Sequence, residues 1–287
     1  MSDRMLDKLA KILKQAENAG TPEEADAFLA KAQHLASTAA IDLAVARQHT
    51  AKRELREQPT HKMITIGTLR KRANAHFCEM FNYIALNNDV MLNIAHDNTW
   101  VVAFGMPSDI EVVETLYAAL IFQMVEAGNA WIKTGAYKQE KVWRMVTKKD
   151  RWGGRWQEEE YTSITAQAAR KHFYKGFTER VYYRLVNARR AAMESLKENI
   201  YTLPMDSGDP DAPYEVEVSA ALVLKEKKDE VDEYYSRKSN ARGSWRGAVA
   251  AVDENSWSRS AGDDAGRSAR LSSTKAIGGQ RTSVTAA

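Results

Sequence analysis

The sequence predicts an α+β protein in which an N-terminal helical hairpin precedes a core of β-hairpins packed by long helices and a flexible tail. Three observations lead to this class. Apolar residues recur at three- and four-residue spacing over residues 6–13 and 163–199, as on one face of an amphipathic helix. Two apolar runs flank Asp97-Asn98, as in a tight β-hairpin. Beyond Arg237 the chain is rich in Ser, Gly and Arg, with too few apolar residues for a core.

Residues 1–58 form the first predicted domain, a pair of antiparallel helices. A leucine stripe marks the first helix, and Asn18 to Gly20 ends it. Thr21-Pro22-Glu23-Glu24 begins the second helix, because Thr21 can cap it and Pro22 lacks an N–H that the first turn would leave unpaired.

The hairpin carries the pattern K-I-L-x-x-A-E-N, followed after a turn by E-A-x-x-x-L-A-K-A-Q-x-L and A-I-D. Over residues 5–45 it resembles a bacterial and bacteriophage family of domains of unknown function. Short motifs at 104–117, 173–181 and 261–267 look like the companion domain that usually follows in this family. The resemblance implies a fold neighbourhood and a phage or mobile-element context, and it implies no reaction.

Residues 62–236 form the second predicted domain, the α+β core. Periodicity and turn residues predict a helix at 69–86, strands at 90–95 and 100–104, a helix opened by a Ser108–Glu111 capping box, a helix at 163–199, a turn-rich stretch at 203–213 and a helix at 218–235. Residues 237–287 form the flexible basic tail, in which the Ala-Gly repeat after Ala261 predicts a short helix.

Composition limits the function classes. No apolar run approaches the ~20 residues of a membrane span, and the N-terminus lacks the zones of a signal peptide. The single cysteine excludes an internal disulfide. We therefore expect a cytoplasmic protein, located in the host cytoplasm if it is phage-encoded. The net charge of +3 is small, but residues 151–200 carry ten Lys and Arg residues against six Asp and Glu residues.

Residues 141–156 are the strongest candidate for a functional site, because they combine six basic residues with three tryptophans. Such a ribbon can follow phosphates electrostatically while its rings stack on bases, as single-strand binders do. The predicted contacts are Lys148, Lys149, Arg151, Trp152, Arg155 and Trp156. The alternative is a solvated hairpin, in which a two-residue Gly153-Gly154 turn places Lys149 opposite Glu158 and Lys148 opposite Glu159 as ion pairs.

The long predicted helix at 163–199 supplies a second basic candidate. Lys171, Lys175 and Arg189 project on a common side, where they could form a ridge facing phosphates. We include Lys171 and Lys175 among the predicted nucleic-acid contacts. The alternative is that the cations of this helix border its apolar stripe and reach solvent with their charged ends.

Enzymatic signals are weak, and no catalytic residue, metal ligand or cofactor is predicted. Cys78 lies two residues from His76, but that spacing puts the two side chains on different sides of a helix. The histidines are scattered, without the spacing of a zinc site. Asp206, Asp209 and Asp211 lack the ligand series of a calcium loop.

The leading hypothesis is a non-enzymatic accessory protein of phage or mobile-element type that binds single-stranded or duplex nucleic acid. The second hypothesis is a protein-interaction module whose N-terminal hairpin binds a host or phage protein. The third is an enzyme whose site assembles from distant residues.

Overall fold

The structure is a computed structural model that describes residues 57–196, 200–205, 214–248 and 255–269, together with the helical residues 27, 31, 34–36, 38–40 and 44. The predicted helical hairpin of residues 1–58 therefore lies almost wholly outside the described residues, as do Asp206, Asp209 and Asp211. None of the described helices is long and apolar enough to cross a bilayer.

The described chain contains helices and antiparallel sheets, which confirms the predicted α+β class. The strands are β1 (Thr60–Thr65), β2 (Met91–Ile94), β3 (Trp100–Gly105), β4 (Lys141–Lys149), β5 (Arg155–Ser163), β6 (Ile200–Met205) and β7 (Tyr214–Ser219). The helices are α1 (Asn74–Leu86), α2 (Pro107–Thr134), α3 (Ala166–Leu196), α4 (Ala220–Lys238) and α5 (Trp257–Arg267), with a 3-10 turn at Ala136–Gln139.

A three-stranded antiparallel sheet in the order β1-β3-β2 lies beside the helices. The predicted hairpin of β2 and β3 is present, and Asn98 supplies the positive φ of its turn, at 58°. Strand β1 was missed, because most of its side chains are exposed and it reads as a polar connection. It pairs along β3 from Thr60 opposite Gly105 to Thr65 opposite Trp100.

The main core forms where α1, α2 and α3 pack together, with Phe81, Leu116 and Phe177 almost fully buried between them. The predicted capping box of α2 is wrong. The N-cap is Met106, and Ser108 lies inside the first turn, where its N–H and hydroxyl donate to the two carboxylate oxygens of Glu57 at 2.9 and 3.1 Å. A carboxylate that is distant in sequence thus accepts from a backbone N–H at the start of α2, where the sequence predicted a local capping box.

The C-terminal helix α5 is packed tightly against α3. A Cβ placed on Gly262 would lie 2.0 Å from the carbonyl oxygen of Phe173, and one on Gly176 would lie 2.0 Å from that of Arg259. Asp263 accepts two hydrogen bonds from Arg180, both at 2.7 Å. The short helix predicted in the tail is therefore present and is held against the core.

Two strands occupy the region predicted as turn-rich. Strands β6 and β7 form an antiparallel pair from Ile200 opposite Ser219 to Met205 opposite Tyr214. The prediction of a turn-rich stretch was therefore wrong at Leu203 to Met205. Helix α4 then begins at Ala220, with the Ser219 hydroxyl accepting from the N–H of Leu222.

Candidate functional site

Strands β4 and β5 form a two-stranded ribbon that pairs with no other described strand. All seven residues from Arg155 to Tyr161 are exposed, so both faces of β5 meet solvent. A ribbon of this kind buries little of its own surface and is marginally stable alone. It is therefore available to contact a partner along its whole length.

The register of the ribbon differs from the one expected of a two-residue turn. Lys149 lies opposite Arg155 and Lys148 opposite Trp156, so residues 150–154 form a five-residue loop. The carboxylate of Asp150 organises this loop by accepting from the N–H groups of Trp152 at 2.9 Å and Gly154 at 2.6 Å. The predicted cross-strand pairing of Lys149 with Glu158 and Lys148 with Glu159 is therefore wrong.

One face of the ribbon, the aromatic face, carries Lys141, Trp143, Met145 and Lys149 from β4 and Arg155, Glu159 and Tyr161 from β5. Trp143 and Tyr161 are directly opposite, with ring centroids 5.2 Å apart, and they are 64% and 53% exposed. The Lys141 ammonium lies 6.0 Å from the Tyr161 ring centroid. Large apolar rings thus face solvent among three cations and a single acid.

The opposite face of the ribbon is closer to electrical neutrality. Lys148 and Glu158 form an ion pair at 2.9 Å. The hydrogen bond that Lys148 donates to Glu158 raises the pKa of Lys148 and lowers the pKa of Glu158. Trp156 lies on this same face and is 45% exposed.

The structure therefore divides the six predicted ribbon contacts into three pairs. Lys149 and Arg155 lie on the aromatic face, Lys148 and Trp156 on the opposite face, and Arg151 and Trp152 in the loop. The site prediction left out Trp143, Tyr161 and Lys141. Their alternate spacing along each strand was the signal that could have found them.

The predicted ridge on α3 is not one continuous surface. The Lys175 ammonium is 2.6 Å from Glu79 and 3.5 Å from Glu179, and Arg189 is bound to Asp89 at 2.5 Å. Of these three cations, Lys171 alone forms no ion pair with a described residue, and it lines a basic pocket together with Arg70, Lys71, Arg72 and Arg170. That pocket contains no residue of β4 or β5.

His76 is buried close to the positive charges of Lys171 and Lys175. Its protonation is expected to cause part of the pH dependence of the free energy of unfolding. Burial lowers its pKa from 6.5 to about 4, with Lys171, Lys175 and His172 adding to the effect. The unfolded chain therefore binds a proton between pH 6.5 and 4 that the folded chain does not bind. Above pH 6.5, His76 is neutral in both states and does not change the free energy of unfolding. As the pH falls from 6.5 towards 4, the unfolded chain gains a proton first, and the free energy of unfolding decreases by roughly 3 kcal/mol.

Urea unfolding between pH 7 and 4 measures this effect. The variant His76→Phe keeps a ring at the site and should lose stability less steeply with falling pH than the wild type. Equal slopes in the two proteins would show that His76 is not the group responsible.

Three buried side chains, Glu140, His172 and Ser256, have the residue types of a hydrolytic triad but not its arrangement. The Ser256 hydroxyl is 2.8 Å from His172 Nδ1 and donates to the carboxylate of Glu140, so the serine and not the histidine occupies the middle position. All three are at most 6% exposed. Glu140 also accepts from the hydroxyl of Ser258 at 2.6 Å. The cluster fixes the start of α5 and offers no substrate access.

Cys78 and groups of metal-binding side chains are the other candidates for chemical activity. Burial raises the pKa of the Cys78 thiol to about 12, and the thiol donates to the carbonyl of Asn98. A protonated, buried thiol is a poor nucleophile. Within the described ranges, no group of three or more His, Cys, Asp and Glu side chains is placed to hold a metal ion.

Comparison with known families adds one result. Residues 4–43 match the family described as a protein of unknown function, DUF2786. The match agrees with the resemblance seen in the hairpin sequence. The comparisons with curated proteins and with solved structures gave no match.

The DUF2786 match ends before the described core, but two motifs attributed to a companion domain meet in the structure. Gly262 of the α5 motif lies against the backbone of Phe173 of the α3 motif, and Gly176 of the α3 motif lies against the backbone of Asp263 of the α5 motif. Arg180 joins the same two motifs through Asp263. The residues of these motifs therefore hold the helices together, while the companion domain itself stays a prediction.

Proposed function

We propose that this protein is a non-enzymatic accessory protein of phage or mobile-element type that binds single-stranded nucleic acid through the aromatic face of its ribbon. The observation that carries the proposal is the exposed pair of Trp143 and Tyr161, flanked on the same face by Lys141, Lys149 and Arg155. The resemblance of the hairpin to a bacterial and phage family supports the phage context.

Single-stranded nucleic acid fits this face for two reasons. Unpaired bases expose flat surfaces that a tryptophan or tyrosine ring can cover, at roughly 1–3 kcal/mol per base. Their phosphates are attracted to nearby ammonium and guanidinium groups, whereas the bases of a duplex are already stacked on each other. Both kinds of group lie on the same side of β4 and β5.

The position of Lys149 opposite Arg155 supports an anionic partner. Two like charges directly opposite on one face of a strand pair repel each other and weaken the ribbon. A phosphate placed between them would turn this repulsion into attraction. Neither side chain forms an ion pair within the part of the chain that the structure describes.

A protein partner is the second candidate, because Trp143, Met145 and Trp152 are exposed and Trp and Met are enriched in protein interfaces. Trp152 at the tip of the ribbon is 90% exposed. Binding of a protein through these apolar groups would depend little on salt, whereas binding of nucleic acid depends on it steeply. The two candidates are therefore separable by one titration.

Replacing Trp143 and Tyr161 with alanine should weaken binding of a labelled single-stranded oligonucleotide by roughly ten-fold or more, because each ring covers a base. Fluorescence anisotropy measures the affinity. Replacing Leu222, an exposed apolar residue on α4, with alanine is the control and should leave the affinity unchanged. Unchanged affinity in the double variant would exclude stacking on the ribbon.

A further inference from the structure

A second basic surface lies away from the ribbon, between the loop of residues 66–73 and the first turns of α3. It is an open cavity of about 320 Å³ whose accessible wall is mostly apolar, and five cationic residues line it together with Gln167, Ala73 and Tyr174. The cations are Arg70, Lys71, Arg72, Arg170 and Lys171. Among the residues that the structure describes, no acidic side chain lines the cavity.

The loop that carries three of these cations is held in a defined shape. The Asn74 side chain is buried against Gly67 and donates to the carbonyl of Thr68 at 2.9 Å. Arg70 has a φ of 66°, in the left-handed region that arginine rarely adopts. The Arg72 guanidinium donates to the side-chain oxygen of Gln167 at 3.0 Å, which ties the loop to α3.

The five pocket cations differ from three of the cations further along α3, which carboxylates neutralise. Further along α3, Lys175, Arg180 and Arg189 each form ion pairs with carboxylates. None of the five pocket cations forms an ion pair within the described ranges. Five like charges around one cavity raise the positive potential there, which favours the binding of an anion.

Arg170 supplies a second observation that favours an anion at this pocket. Arg170 Nε is buried and has no hydrogen-bond partner among the described residues, although the same guanidinium donates to Asn129 at 3.1 Å. A buried donor without an acceptor is costly. The pKa of the nearby His76 is lowered by burial and further by Lys171, so the positive field reaches into the core.

We propose that this pocket binds the phosphate group of a phosphorylated ligand. Guanidinium groups match the paired oxygens of a phosphate, and ammonium groups add charge without demanding a fixed geometry. The cavity volume lies at the lower end of ligand pockets, roughly 300–1,000 Å³, which suits a compact polyanion such as pyrophosphate or a single nucleotide unit. The phosphate belongs either to a free small molecule or to a nucleic-acid backbone.

This inference does not rest on the function proposed for the ribbon, and pyrophosphate separates the two. Pyrophosphate carries no base, so its binding reports on the pocket and not on stacking at Trp143 or Tyr161. Isothermal titration of the full chain with pyrophosphate and with a short oligonucleotide, at low ionic strength, is the experiment. The double variant Arg72→Gln/Lys171→Gln removes two pocket cations, and Lys225→Gln/Lys228→Gln removes two exposed cations of α4 as the charge-matched control.

We expect the pocket variant to bind pyrophosphate at least ten-fold more weakly than the control variant. If only the oligonucleotide binds, and the pocket variant weakens it, the phosphate comes from a nucleic-acid backbone. Equal binding of each ligand to both variants, or no binding of either ligand to the wild type, would overturn the proposal. Circular dichroism of both variants shows that a loss of binding is not a loss of folding.

Discussion

Gly262→Ala is expected to detach α5 from α3. The added methyl carbon would lie 2.0 Å from the carbonyl oxygen of Phe173, and a backbone atom cannot rotate away as a side chain can. Overpacking of this kind typically costs about 1–3 kcal/mol and occasionally more. Because α5 is short, we expect it to leave the surface before the core unfolds. Gly176→Ala should act in the same way from the opposite helix, since its Cβ would meet the Arg259 carbonyl at the same distance.

Hydrogen exchange over residues 257–267 measures the detachment, together with the thermal unfolding midpoint. Ser260→Ala is the matched control, because Ser260 lies on the exposed side of the same helix. It should retain the protection of the wild type. Protection of α5 in Gly262→Ala equal to that in Ser260→Ala would contradict the close helix contact.

Lys227→Met is expected to cost about 3–5 kcal/mol of unfolding free energy, because it leaves the buried carboxylate of Asp109 without its cation and leaves Asp89 with Arg189 alone. Lys227 is 4% exposed, and its ammonium lies 3.0 Å from Asp109 and 3.2 Å from Asp89. Burial opposes its charge, but the attraction of the two carboxylates is stronger and raises its pKa. The network joins α4 to the start of α2, and Arg189 of α3 completes it through Asp89.

Urea unfolding of Lys227→Met and of the neighbouring Lys228→Met measures this cost. Lys228 is exposed, so its replacement should change the unfolding free energy by no more than about 0.5 kcal/mol. Adding Asp109→Asn to Lys227→Met should recover part of the loss, since it removes an uncompensated charge. Equal stability of the two methionine variants would show that the buried network contributes nothing.

The fold was predictable where the local sequence decides the structure. The β2–β3 turn at Asp97-Asn98 and the long helices follow from turn residues and apolar spacing. Strand β1 could not be predicted in this way. Most of its residues are exposed, and they form a strand because they pair with β3. The predicted capping box at the start of α2 was wrong for a related reason. The carboxylate that binds this helix end belongs to Glu57, which lies fifty-one residues away in sequence.

The sequence predicted which residue types form the candidate site, but it did not predict which of them share a face of the ribbon. Cations and tryptophans indicated a nucleic-acid ribbon, yet the side of each residue depends on register, and register depends on the loop that Asp150 organises. Lys175 was predicted as a contact, but its partner Glu79 is ninety-six residues away in sequence. The basic pocket was missed because Arg70-Lys71-Arg72 and Arg170-Lys171 come together only in the fold.

We propose that the ribbon binds single-stranded nucleic acid through its aromatic face. The most direct test measures affinity for a labelled single-stranded oligonucleotide across a salt series, for wild type, Lys149→Ala/Arg155→Ala and the charge-matched Lys225→Ala/Lys228→Ala. We predict that log affinity falls linearly with log salt, and that the ribbon variant alone binds more weakly, with a slope reduced by about 1.4. Identical affinities and slopes for all three proteins, or no binding at low salt, would contradict it.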